Sequence, residues 1–260
     1  MRWIKGLIPT VIILLGALLL GCICYISIWG VPSFVVQRVE QALLEKGIPS
    51  HIETLKVTLW PRAVVTLKNV ELLDPEAMPE TRRPIVLLHE ADVALNWKKL
   101  IEGQVVPERV NVKGMDVSVP VDAGNLEKVF SVTGVNAELN LGRPGMVDIV
   151  KADAVVQGIR VTAQGAFSIG QDDSGDFTLT AQDMGAVREQ LNQVLNYMDR
   201  VKWPDASPPR LIVNLSDDPK GGVRVGMDLQ APVLRYGKIM VRDFLFSGDY
   251  ADSVLSLIHI

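Results

Sequence analysis

Three histidines, two cysteines and one tight acidic cluster are the residues of this 260-residue chain whose types could do chemistry by themselves. His51 and His89 are far apart, each inside a strand-like run, which reads as two isolated side chains and not a metal pair. Cys22 and Cys24 both fall inside a long apolar stretch, leaving the rest of the chain with no thiol for a disulfide framework or a thiolate metal site. The acidic cluster "DDSGD", Asp172 to Asp176, could offer carboxylates to calcium, but its spacing is not that of an EF-hand loop and its composition is that of a turn. There is no G-x-S-x-G elbow, phosphate-binding glycine loop or H-E-x-x-H pair. The expectation is a protein that is not an enzyme and carries no metal or cofactor.

With no reactive cluster to position, the elements themselves become the informative feature. Apolar residues make up 48% of the chain and charged residues 22%, the balance of a folded protein. Aromatics are only 6%, so any dry surface is built from Val, Leu, Ile and Ala. The net charge of -4 does not suit a nucleic-acid partner, which calls for a basic face. From Gly6 to Gln37 there is no charged residue, and Arg2 and Lys5 precede that stretch. A helix of about 20 apolar residues spans a bilayer, and flanking cations favour the cytoplasmic side. Residues 1–30 are therefore expected to be a cytoplasmic tip and a single uncleaved anchor, with the bulk of the chain beyond the membrane. A cleaved signal peptide and a lipoprotein signal ending at Cys22 ("LLGC") are the alternatives. The stretch is long for the first and stays apolar after the cysteine, unlike the second.

After the anchor, "VPSFVVQRVEQALLEKG" sets Val35, Val36, Val39, Leu43 and Leu44 on one helical face and predicts a short amphipathic helix packed on the first strands. From Ile48 onward alternation with period two dominates. Ala91, Val93, Leu95 and Trp97 share a parity with Ile85 and Leu87, interrupted by His89, and "KLIEG" reads as a helical turn. Gly114 permits a change of phase before Met115, Val117, Val119 and Val121. Ile159, Val161, Ala163, Phe167 and Ile169 make a further strand, Phe177 to Ala181 another, and "SDDPKGG" a hairpin turn. The stripe from Met184 to Val201 predicts one helix over a sheet face or end, ended by Pro204. The last six residues, "LSLIHI" from Leu255, are what CTGTCTCTTATACACATC encodes, a string like the transposon end of sequencing libraries. Leu255–Ile260 are accordingly expected to be an artefact on a truncated gene, and His259 to have no role.

Two stretches carry a family resemblance: "LKVTLWPRAVVTLKNVELLDP" from Leu55, and "ADVALNWKKLIEGQVVPERVNVKGMDVSVPVDAGN" from Ala91. Together with the basic N-terminus, single span and amphipathic helix, they resemble the N-terminal portion of AsmA-like envelope biogenesis proteins over about residues 2–125. Of a Gly-x-x-Asn-type element usual in that family, only Gly124 and Asn125 remain. The resemblance implies an inner-membrane, single-pass protein exposed to the periplasm, with a β-groove that moves phospholipids toward the outer membrane. Its implied partners are phospholipid acyl chains, the inner membrane, and periplasmic or outer-membrane proteins, and it brings no catalytic residue.

The expected fold is mainly β: the anchor, then an elongated curled antiparallel sheet forming a groove, with one or two amphipathic helices. Residues 31–125 form the family-like region and 126–254 a further strand region with the helix at 184–201. Val93, Leu95, Val117, Val119, Val161 and Phe167 are the candidate groove-lining residues; each fits an ordinary core equally well. A closed β-sandwich tethered to the membrane as a scaffold is the rival, because trough and sandwich share one alternation pattern.

Overall fold

The computed structural model describes residues 31–59, 61–75, 83–121, 128–168, 181–204, 206–218, 222–251 and 254–259. The expected anchor, the "DDSGD" cluster and the "DAGN" element lie outside the described residues. Among the described residues no helix is long and apolar enough to cross a membrane.

Helix α1 (Ser33–Glu45) leads into a meander of β1 (Ser50–Thr58), β2 (Val64–Leu73) and β3 (Pro84–Leu95). A short turn of helix, α2 (Trp97–Ile101), precedes β4 (Pro107–Pro120), β5 (Val129–Asn140), β6 (Met146–Val156) and β7 (Ile159–Ser168). Helix α3 (Ala181–Met198) follows, then β8 (Val201–Lys202), β9 (Arg210–Asp217), β10 (Val223–Tyr236), β11 (Ile239–Ala251) and β12 (Val254–His259). All the strands belong to one sheet, ordered β1 to β7 and then β9 to β12, with β8 attached to β10. The sheet curls but does not close. Eleven strands spaced about 4.8 Å apart give a long axis of about 50 Å.

The expected all-antiparallel sheet needs one correction. Strand β9 pairs with β7 in parallel, from Arg160 opposite Arg210 to Gly165 opposite Leu215. Parallel neighbours require a crossover of a dozen or more residues, usually a helix, and α3 lies in that connection. The predicted helix is therefore the return path that lets the sheet continue. Its bounds also differ: Ala181 begins the helix instead of ending a strand, and Val201 belongs to β8. Arg188 Nη2 meets Asp74 Oδ2 at 2.7 Å, and Lys128 Nζ donates to Asn192 and Asn196 at 2.6 and 2.7 Å. Residues 188, 192 and 196 form one helical stripe, which ties α3 to the ends of β2 and β5.

The first edge of the sheet is covered. Val31 N–H donates to the Leu55 carbonyl, and Ile52 N–H donates to the Glu40 carboxylate of α1. Both would otherwise be open hydrogen-bonding positions on an edge strand. Phe34 and Leu44 of α1 remain exposed.

The alternation carries a regular phase shift. Asn69, Gly114, Gly134 and Asp243 have φ of 49°, 65°, 62° and 52°. Each lies two residues after one apolar side chain and one residue before the next: Leu67 and Val70, Val112 and Met115, Val132 and Val135, Val241 and Phe244. A left-handed residue adds a local twist, so apolar side chains three apart return to one face. On β3 the same shift occurs at His89. Val86 and Leu88 lie in the apolar rows with Val117 and Met115, while Leu87, expected on the dry side, is exposed opposite Glu71 and Asp116.

The other face is a polar ladder. Lys68, Glu90 and Lys113 are cross-strand neighbours, with Glu90 between the two ammonium groups. Hydrogen bonds from Lys113 and then Lys68 hold the Glu90 carboxyl at about 2, below the ordinary 4.5. A depressed acid stabilises the folded state fully above its unfolded value, and that contribution is lost as pH falls through the folded value. Urea midpoints of the native chain should fall between pH 4.5 and 2 more steeply than those of Glu90→Gln. Added salt should shrink the difference, since the pair is solvent-accessible. Equal acid slopes in the two proteins would show that the ladder contributes nothing.

Candidate functional site: an apolar trough

Cross-strand partners point to the same face of a sheet, so the register fixes what each face presents. One row begins with Val57, Val65, Val93, Val110 and Leu139 on β1 to β5. It continues through Ile149, Gly165, Leu215, Val225 and Tyr250 as far as β11. The adjacent row starts at Leu55, Leu67, Ala91, Val112 and Ala137, and ends at Ala152, Ala163, Val213, Met227 and Gly248. From β1 to β10 neither row contains a polar side chain, and on β11 the first row ends at the Tyr250 phenol. Both run along the long axis, perpendicular to the strands.

The side chains of these rows are mostly half-buried. Among the described residues, full burial of apolar side chains is confined to Pro49, Ile52, Ala63, Val70, Ala91, Val119, Val121, Leu195, Pro209 and Ala231. A sandwich sealed by a facing layer would bury its central rows completely. Here the rows belong to a single open sheet and stay mostly half-exposed.

All six residues expected to line the groove fall on this face. Val93 lies in the first row and Leu95 two residues further along β3. Val117 is linked through Val132 and Val156 to Ile159 on β7. Ile159, Val161, Gly165 and Phe167 share a parity on β7, which joins that row to the first. Val119, opposite Phe130, is 7% exposed, while the other five are half-buried. Val119 therefore belongs to the closed end, where Val121 and Leu195 of α3 are also buried. Val57, Val65, Val110, Leu139 and Ile149 were not among the candidates. The signal that could have found them is the three-residue apolar step around Asn69, Gly114 and Gly134.

A cavity of 710 Å³ lies at one strand end, lined by Arg62, Leu95, Trp97, Arg109 and Asn140 among others. Arg109 and Asn140 partner Ala94 in a row of the opposite face, so this hollow is a rim feature outside the apolar rows. Its polar groups satisfy one another: Asn96 donates to Glu108 and Arg109 to Asn140. Among the described residues no cluster of His, Cys, Asp or Glu could hold a metal ion.

The fold and this face define an open, curled single β-sheet with one apolar side. No family model, curated protein or solved structure matches the chain.

Proposed function

We propose that the chain is an inner-membrane-anchored, periplasmic trough that carries phospholipid acyl chains along its apolar face, as part of outer-membrane biogenesis. What carries the reading is the pair of apolar rows running from β1 to β10. An acyl chain laid along them exchanges water for hydrocarbon, at about 0.8 kcal/mol per buried methylene. From β1 to β10 the rows offer no polar group to fix one position, so a bound chain can slide along them. Val, Ala and Leu leave width that aromatic side chains would fill. No catalytic step or cofactor enters this reading. A trough of about 50 Å is short for a periplasm, so periplasmic or outer-membrane partners, or further strands, complete the route.

Site-specific photocrosslinking in cells tests this. A photoreactive residue at Val110, on the dry face, should capture phospholipid, whereas one at Lys113, on the polar face, should not. Equal capture at both positions, or none at either, would leave the tethered scaffold as the better reading.

A further inference from the structure

The tip of the β10–β11 hairpin differs in character from the rest of the sheet. Tyr236 and Ile239 flank a two-residue turn, Gly237-Lys238, with Gly237 at φ 58°. Tyr236, Ile239, Met240 and Val241 are 53%, 64%, 57% and 40% exposed. Lys202 of β8 partners Arg235, and Arg235 partners Met240, so these side chains and Arg242 share one face of the tip. Val201, Leu234, Tyr236, Ile239 and Val241 share the other. Arg200, next to β8, lies over the ring of Tyr197, itself 70% exposed. Among the described residues no carboxylate lies within salt-bridge distance of Arg200, Lys202, Arg235, Lys238 or Arg242. Like charges directly opposite, as at Lys202 and Arg235, repel, and an external anion would relieve that.

We propose that this tip docks on an anionic lipid bilayer, with its cations against the headgroups and Tyr236, Ile239 and Met240 entering the interface. Tyrosine and long basic side chains suit that boundary because each has an apolar body and a polar end. Clustered cations add attraction to acidic lipids. A two-residue turn lets the apolar residues reach the interface with few backbone groups to desolvate. The proposal goes beyond lipid carriage, since a surface contact needs no occupied trough.

The test uses the full chain with Cys22 and Cys24 replaced by serine and an environment-sensitive dye on Lys238→Cys. A second preparation carries the dye on Gln104→Cys, at the other end of the strands. With vesicles of equal parts phosphatidylglycerol and phosphatidylcholine, the dye at 238 should shift to the blue and the dye at 104 should not. Because the anchor expected at residues 1–30 would hold the chain on any bilayer, the dye at 238 is the readout, and on pure phosphatidylcholine its blue shift should be at least tenfold smaller. Removing three cations in Lys202→Gln/Arg235→Gln/Arg242→Gln should weaken the tip contact reported by the dye at 238 by about a hundredfold, with unchanged amide protection in β10 and β11. The single change Ile239→Ser, which keeps every charge, should shrink the blue shift. A shift as large on neutral vesicles, an equal shift at 104, or indifference to the triple substitution would overturn the proposal. Competition by inorganic phosphate alone would mark a small-anion site instead, and would overturn it too. Tip docking should survive loss of acyl-chain capture in the trough, which separates the two readings.

Discussion

Gly165→Ala should break the sheet at its parallel joint, separating β1–β7 from β9–β12. Gly165 has φ of 132°, a region that side-chain-bearing residues rarely enter. A Cβ built there would stand 1.9 Å from the Leu215 carbonyl oxygen and 2.7 Å from its nitrogen. Both atoms are backbone, held by pairing with β10 on the far side, so neither can move without breaking the ladder. The expected cost is about 3 kcal/mol, the upper end of the range for strain at a special backbone position. In a one-layer sheet each strand touches mainly its neighbours, so the damage should stay local. Hydrogen exchange should show protection lost across β9 and β10 while β2 to β5 keep theirs. Gly134→Ala, where φ is 62° but no atom lies within 4 Å of the added carbon, is the comparison: strained backbone, open space. Equal protection in the Gly165 variant and the native chain would show that the close approach does not hold the joint.

Val93→Asp combined with Val110→Asp should abolish phospholipid co-purification and leave the strand content intact. The two residues are cross-strand partners in the first row and are half-buried. In the empty trough a carboxylate there still reaches water, so folding loses little. Against an acyl chain it would have to be stripped of water, which costs several kcal/mol for an unpaired polar or charged group. The expected result is a drop of tenfold or more in phospholipid extracted per chain, with an unchanged far-ultraviolet circular dichroism spectrum. Val119→Asp should behave differently. That side chain is 7% exposed at the end beneath α3, and a buried charge there should loosen the fold itself. If both substitutions unfolded the chain alike, the whole face would be a packed core and the carrier reading would fail.

Most of the local signals in the sequence hold in the structure. Period-two runs named most strands, Gly114 marked a phase change, and "KLIEG" became α2, closed by Gly103 at φ 80°. The sequence misleads where the signal depends on what lies beside a strand. The stripe from Met184 was legible as a helix, yet its role as the crossover joining β7 to a parallel β9 was not read from it. Strict alternation through His89 puts Ile85 and Leu87 on the side of Val93, whereas the register puts Leu87 opposite Glu71 and Asp116. The shift there follows the left-handed residues Asn69 and Gly114 in the neighbouring strands.

Residue order alone thus determined a β-rich chain with one dry and one wet side to its strands, because side-chain direction along a strand depends only on position. Whether the dry sides of ten strands line up was decided by register. Register is set by turns, bulges and the α3 crossover acting between segments distant in sequence, and only their assembly turns separate aliphatic runs into two continuous rows. The same holds for the basic tip, where Lys202 meets Arg235 across β8 and β10 although they are far apart along the chain.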